Sequence, residues 1–233
     1  MTGIRTPREQ SLVIAVTDGN AVSAVATIPE GPGACLVLSP GAGGGMNQTY
    51  LVAVCAGLAA RGIATLRYQF PYTQKGSRRP DPPKLCHLTV RAAVAAAHEL
   101  LPRVPLFAGG KSFGGRMTSQ AQALTPLPDV RGICFFGFPL HAAKQPSTIR
   151  AEHLASITVP MLFLQGTRDE LADLALIRSV VKPLGARATL SVIEHADHSF
   201  HVLVRSGTTD EAVMHSMLDE VAAWMTRVAT RSP

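Results

Sequence analysis

Three residue types spaced along this chain could together carry acyl-transfer chemistry. The first is a serine. The stretch "VPLFAGGKSFGGR", residues 104–116, contains Gly110-Lys111-Ser112-Phe113-Gly114, a G-x-S-x-G pattern. The same letters imitate the end of a phosphate-binding loop, G-x-x-x-x-G-K-[ST], but the first glycine of that loop would fall on Pro105. Leu106, Phe107 and Ala108 read as strand, not as a pliant cradle of inward N–H groups. The elbow reading fits the context better: strand 104–109, a sharp turn at Ser112, then a helix, with Gly110 and Gly114 small enough for the strained crossing. A serine hydroxyl is a poor nucleophile until a base takes its proton and a third group orients that base.

In an elbow arrangement the acid and the histidine follow the serine in the chain and lie after late strands. Asp169 comes just past the strand "PMLFLQG", in "GTRDE"; His198 lies in "HADHSF", past the strand "ATLSVIE". Glu170 is the rival acid, and Asp169 is preferred for its place in the turn, where it could also cap the next helix. His195 and His201 rival His198; the first directly continues the strand and the second lies beyond the loop. An oxyanion needs two backbone donors. The Phe113 N–H is one. The other is expected from the loop Pro40-Gly41-Ala42-Gly43-Gly44-Gly45, with Ala42 first and Gly43 second. That loop does not complete G-x-G-x-x-G, since Met46 and Gln48 interrupt it, and Arg67, not an acid, ends the next strand.

Other residues are weaker candidates. His141 either lines the pocket or sits in a turn. Tyr68, Phe70 and Tyr72 form either an apolar wall of the pocket or, the preferred reading, ordinary packing. Arg116, one helical turn past Ser112, reads as structural. Lys111 should point away from its neighbour on the turn.

The elements that must position these residues alternate. Residues 11–17 and 21–28, split by Asp18-Gly19-Asn20, predict a hairpin. "ACLVLS" is a continuous apolar run, as in a strand buried on both faces. A helix is expected over residues 47–61, capped by Asn47 and stopped by Gly62. Strand "IATLRY" follows, then a long proline-rich loop over residues 68–83, a helix over 84–101, the elbow strand, and a helix over 112–124. Strand "VRGICFFG", a short helix near 150–156, strand "PMLFLQG", a helix over 170–181, strand "ATLSVIE" and a helix over 210–230 complete the chain. About eight strands are expected, mostly parallel, with helices on both faces of the sheet and the whole chain, 1–233, forming one domain. The segment 137–160 is too short for a large cap, which suggests an open cleft.

Bulk properties narrow the function classes. The net charge is +6 and the pI about 9.5, yet the only dense basic run, Lys75-Gly76-Ser77-Arg78-Arg79, lacks interleaved aromatics, so no nucleic-acid partner is expected. No apolar run reaches the length of a membrane span, and "MTGIRTPREQ" has no apolar leader segment. The four cysteines, Cys35, Cys55, Cys86 and Cys134, form no C-x-x-C pair, and no ligand set for a metal is apparent. A reducing, cytoplasmic location fits best. Nothing bears on the oligomeric state.

These motifs together resemble the α/β-hydrolase superfamily, and within it the small, cap-less, dienelactone-hydrolase-like branch. "GGKSFGGR", "YQFPY", "RRPDPP", "GFPLH", "QGTRDE" and "ADHSF" all carry the likeness, which runs over residues 34–224. The resemblance implies an α/β-hydrolase fold with Ser112 as nucleophile, Asp169 as orienter, His198 as base, and no cofactor. It implies hydrolysis of a small-molecule acyl substrate, an ester or related bond, through an acyl-enzyme. Two departures matter. Many relatives have His-Gly where this chain has Pro40-Gly41, and proline brings no N–H and a fixed φ. Dienelactone hydrolases proper use a cysteine nucleophile, so Ser112 argues against their substrate. Some relatives are non-catalytic scaffolds, which is the alternative reading; a scaffold is free to lose members of the triad.

Overall fold

The computed structural model describes residues 6–230; the first residues of the amino-terminal stretch read above lie outside them. The strands are β1 (Arg8–Thr17), β2 (Asn20–Ile28), β3 (Ala34–Ser39), β4 (Ile63–Tyr68), β5 (Leu106–Lys111), β6 (Val130–Phe136), β7 (Met161–Gly166) and β8 (Ala188–Ile193). The helices are α1 (Thr49–Ala59), α2 (Pro71–Gln74), α3 (Pro83–Leu100), α4 (Phe113–Leu124), α5 (Leu174–Val181) and α6 (Asp210–Ala229). The eight strands form one sheet in the order β1-β2-β4-β3-β5-β6-β7-β8. β1 and β2 make the expected hairpin, β2 runs antiparallel to β4, and every other pair is parallel.

Side-chain alternation decides which helix covers which face. Leu36 and Leu38 of β3, Cys134 and Phe136 of β6, and Leu162 and Leu164 of β7 face α1 and α6. Cys35 and Val37 face α3, while Ile133, Phe135 and Phe163 face the 3-10 segment Ile149–Ser156 and α5. The inner strands β3, β4 and β7 are buried along their whole length, which is why their sequences are mostly apolar, with Ser39, Thr65, Arg67 and Gln165 as buried polar exceptions. Edge strand β8 is only partly covered, and its "ATLSVI" is correspondingly mixed.

The chain doubles back at β3. From there the sheet grows one way through β4 and the other way through β5 to β8. The loops after β3 and β5 therefore diverge over the carboxyl ends of two neighbouring strands, leaving a crevice where an open α/β sheet can hold a ligand.

Several boundaries differ from the sequence reading. α1 starts at Thr49, and Gln48 precedes it with no side-chain cap; Asn47 is not the cap. The proline-rich loop contains α2, begun by Pro71, whose ring pre-sets φ at a first helical position. The helix expected from Glu170 begins at Leu174, where Asp173 caps it by accepting the Leu176 N–H at 3.0 Å. Residues 137–160 lie against the sheet through Ala151, Leu154 and Ile157 and make no lid.

Candidate active site

Ser112 sits between β5 and α4 with φ 49° and ψ −116°, a left-handed conformation that costs a side-chain-bearing residue about 1–3 kcal/mol. The strain is fixed from both sides. The Ser112 N–H donates to the Phe136 carbonyl at 3.2 Å, and its own carbonyl accepts from the Arg116 N–H at 3.1 Å. The turn is tight enough that a β-carbon on Gly110 would lie 2.6 Å from the Ser39 carbonyl oxygen, and one on Gly114 would overlap the Pro40 carbonyl. The G-x-S-x-G spacing is thus a packing requirement as well as a motif.

Ser112 Oγ lies 2.8 Å from His198 Nε2, and His198 Nδ1 lies 2.7 Å from Asp169 Oδ2. A carboxylate only accepts, so Nδ1 carries the proton and Nε2 is left to accept from the serine hydroxyl. The Asp169 side chain is 1% exposed and that of His198 22%, so the acid is sealed while the base reaches the cleft. Asp169 is fully engaged. Oδ1 accepts the Leu171 N–H at 2.8 Å, and Oδ2 also accepts from Gln165 Nε2 at 2.5 Å.

The rival residues point elsewhere. Glu170 is exposed. The His195 N–H donates to Thr167 Oγ1 at 2.8 Å and its carbonyl takes the Arg168 guanidinium at 2.9 Å. His201 pairs with Asp210 at 2.8 Å at the start of α6, and that hydrogen bond raises its pKa.

Ser112, His198, Lys111, Gly41, Ala42 and Tyr50 line a cleft of about 720 Å³ at the carboxyl ends of β3 and β5. A β-carbon on Gly41 would sit 3.9 Å from Ser112 Cβ, so the glycine-rich loop passes directly beside the nucleophile. Among the described loop and cap hydrogen bonds, neither the Phe113 nor the Ala42 amide is a donor, and the first N–H groups of a helix lack an intrahelical acceptor. Gly43, with φ 69°, turns the loop and is not part of the cleft lining. A second cleft of about 620 Å³ opens at the other end of the strands, beside Leu106, Val130 and Pro160, far from this chemistry.

Tyr68, Phe70 and Tyr72 are buried in the core with α3, β2 and β4, outside the cleft lining. Tyr68 OH meets Ser39 Oγ at 2.5 Å, and Ser39 Oγ meets Thr118 Oγ1 at 3.0 Å, a polar buttress behind the elbow. His141 is tied by both ring nitrogens. Nδ1 donates to the Ala142 carbonyl and Nε2 accepts the Asp173 N–H, each at 2.9 Å. With its own N–H on the Leu171 carbonyl at 2.9 Å, it fastens the turn that carries Asp169. Arg116 lies over the Phe113 ring at 5.8 Å with its buried Nε unpartnered, and burial with the nearby Arg150 charge lowers its pKa.

Two neighbours escaped the sequence reading. Gln165 looks like an odd polar letter in an apolar strand; its Oε1 accepts the Phe138 N–H at 3.1 Å while its amide holds Asp169. Lys111 does not point away: its ammonium donates to the His198 carbonyl. Among the described residues no group of three His, Cys, Asp or Glu side chains is placed to hold a metal ion, and no helix is long and apolar enough to cross a membrane.

The model of the alpha/beta hydrolase domain family matches residues 32–226. The chain belongs to this family. Solved structures agree on the fold. Dienelactone hydrolase from Anabaena variabilis is 18% identical with a TM-score of 0.75, covering 96% of this chain and 99% of that one. A serine hydrolase without lid from Xanthomonas campestris is 17% identical with a TM-score of 0.66, covering 97% of each chain. Est1E from Butyrivibrio proteoclasticus, solved with ferulic acid bound, is 18% identical with a TM-score of 0.68, covering 91% of this chain and 99% of that one. The α/β-hydrolase fold, with its antiparallel amino-terminal pair and no large cap, is thereby that expected from the sequence.

Proposed function

We propose that this α/β-hydrolase is a serine hydrolase that cleaves small esters or related acyl bonds through an acyl-enzyme. The observation that carries the reading is the continuous relay from Ser112 Oγ through His198 to the buried Asp169, with contacts of 2.8 and 2.7 Å. His198 Nε2 takes the Ser112 proton as Oγ attacks the acyl carbon, and Asp169 holds the ring and its Nδ1 proton in place. The carbonyl oxygen becomes an oxyanion received by the Phe113 N–H, at the positive end of α4, and by the Ala42 N–H, which the cleft lining favours over the alternative Gly43. His198 then protonates the leaving alcohol. Water, deprotonated by the same nitrogen, releases the acid and restores Ser112. The chain's own groups complete this cycle.

Neighbours named as an esterase domain from Rhodothermus marinus, an esterase from Pyrococcus furiosus and a serine hydrolase without lid support the class of reaction. The open cleft suits a small-molecule substrate. We read the whole chain as one catalytic domain, and the four unpaired, buried cysteines fit a reducing, cytoplasmic setting. The test is hydrolysis of p-nitrophenyl acetate and butyrate by wild type and Ser112→Ala. A pre-steady-state burst in wild type and loss of turnover in the variant support the proposal. Equal rates in both proteins refute it.

A further inference from the structure

The residue next to the nucleophile reaches the backbone of the base. Lys111 ends β5, and its Nζ donates to the His198 carbonyl across 87 positions of sequence. The same ammonium lies 4.8 Å from the centre of the Phe200 ring and 5.8 Å from that of Tyr50, and these two rings stack on each other at 6.1 Å. Phe200 itself has φ 64°, an unusual conformation for a bulky residue, held in part by its N–H on the Asp197 carbonyl at 3.0 Å.

Other bonds tie the loop to the acid's turn or to itself: the Arg168 N–H donates to the Ala196 carbonyl at 2.9 Å, and His198 Nδ1 reaches Asp169. Asp197 Oδ1 accepts the Ser199 and His201 N–H groups at 2.7 and 3.0 Å, and the Asp197 N–H donates to the His201 carbonyl at 3.0 Å. These fix the loop's own shape. Among the described residues, Lys111 is the group outside the loop that holds the His198 carbonyl. Because Lys111 is covalently adjacent to Ser112, this bond ties the position of the base to the position of the nucleophile.

From this we infer that Lys111 is a positioning residue for the acyl transfer proposed above: its ammonium holds the His198 loop in register with Ser112. The inference rests on that reading of the site. The group is kept at some cost. Burial drives its pKa down to about 8, only partly opposed by the negative charges of Asp169 and Asp197. Neither carboxylate pairs with it; Asp169 is committed to His198, Gln165 and Leu171, and Asp197 to its own loop. Two other titratable groups face it: the Tyr50 hydroxyl, kept neutral by burial, and the His198 ring, which shares the Gly137 flank with the ammonium. The ammonium form therefore prevails below pH 8, and above it the charge and the cation–π contacts are lost.

The experiment measures kcat and KM for an activated ester from pH 6 to 10 in wild type, Lys111→Met and Lys111→Arg, with fluorophosphonate labelling of each. Wild type should lose about fivefold in kcat above pH 8, the step between a charge-assisted and a neutral hydrogen bond. Lys111→Met should lower kcat about ten- to hundredfold at pH 7 with KM nearly unchanged. Lys111→Arg should regain part of the rate and show no fall above pH 8, since a guanidinium keeps its proton. A flat wild-type kcat above pH 8 overturns the inference even if the variants misfold. So does a Lys111→Met enzyme as fast as wild type, or a faster one, which would make the ammonium only a repulsive charge beside the imidazolium. Failure of the underlying reading looks different: folded wild type is then neither labelled nor active at any pH, and both proposals fall.

Discussion

Replacing Asp169 by asparagine tests the arrangement of the site with a near-isosteric change. Three donors converge on this carboxylate: His198 Nδ1 at 2.7 Å, Gln165 Nε2 at 2.5 Å and the Leu171 N–H at 2.8 Å. An asparagine has one acceptor oxygen. If it faces His198 and Gln165, its NH₂ meets the Leu171 N–H; if it faces Leu171, its NH₂ meets the Gln165 amide and favours the His198 tautomer with Nδ1 unprotonated. Either way a buried donor loses its acceptor, at about 1–3 kcal/mol of stability. The wrong tautomer removes the lone pair on Nε2 that should take the Ser112 proton, a loss of about a thousand- to ten-thousandfold in kcat. Glu170→Gln, an exposed change next door, should leave kcat within twofold, or about 0.4 kcal/mol. The assay is steady-state hydrolysis of p-nitrophenyl acetate, paired with urea melts to separate folding from chemistry. An Asp169→Asn enzyme that stays folded and keeps more than a tenth of wild-type kcat would refute the reasoning, as would an equal loss in Glu170→Gln.

Two further predictions concern the frame. Gly114→Ala pushes a β-carbon into the Pro40 carbonyl and Ser39, so it should cost roughly 2–4 kcal/mol in denaturant melts, whereas Gly33→Ala, which meets open space, should stay within about 0.5 kcal/mol; equal effects would show that the elbow is not tightly packed. His153, bonded to Ser119 at 2.8 Å, is held down to a pKa of about 4 by burial first and by the Arg116 charge next. Between pH 6.5 and 4 the unfolded chain binds a proton there that the folded chain refuses, so stability falls as pH drops through that window, by up to about 3 kcal/mol. Urea melts at pH 6.5, 5.5 and 4.5 should show a shallower decline in His153→Gln, and parallel declines would contradict the assignment.

Much of this was legible in the sequence because strand ends are punctuated. Gly110 and Gly114 frame Ser112, and Gly166 closes β7 three residues before Asp169, so the order and placement of the candidate residues follow from local pattern alone. Caps were less legible. Asn47, Asp169 and Asp173 are all good cap residues by type, and only the path of the chain selects Asp173. Contacts across the fold were not legible at all. Nothing local says that Gln165 serves Asp169, that His141 fastens the acid's turn, or that Lys111 reaches a carbonyl 87 positions away. The aromatic run of Tyr68, Phe70 and Tyr72 has the same letters whether it lines a cleft or fills a core; burial against α3 decides it.

In the proposed cycle everything depends on Ser112 being an activated nucleophile. Reaction of the folded chain with an alkyl fluorophosphonate, followed by intact-mass measurement and peptide mapping, tests it most directly. The expected outcome is a single adduct on Ser112, none in Ser112→Ala, and labelling slowed at least about hundredfold in His198→Ala. A folded wild type that takes no label, or takes it on another residue, would contradict it and turn attention to a scaffold role on the same fold.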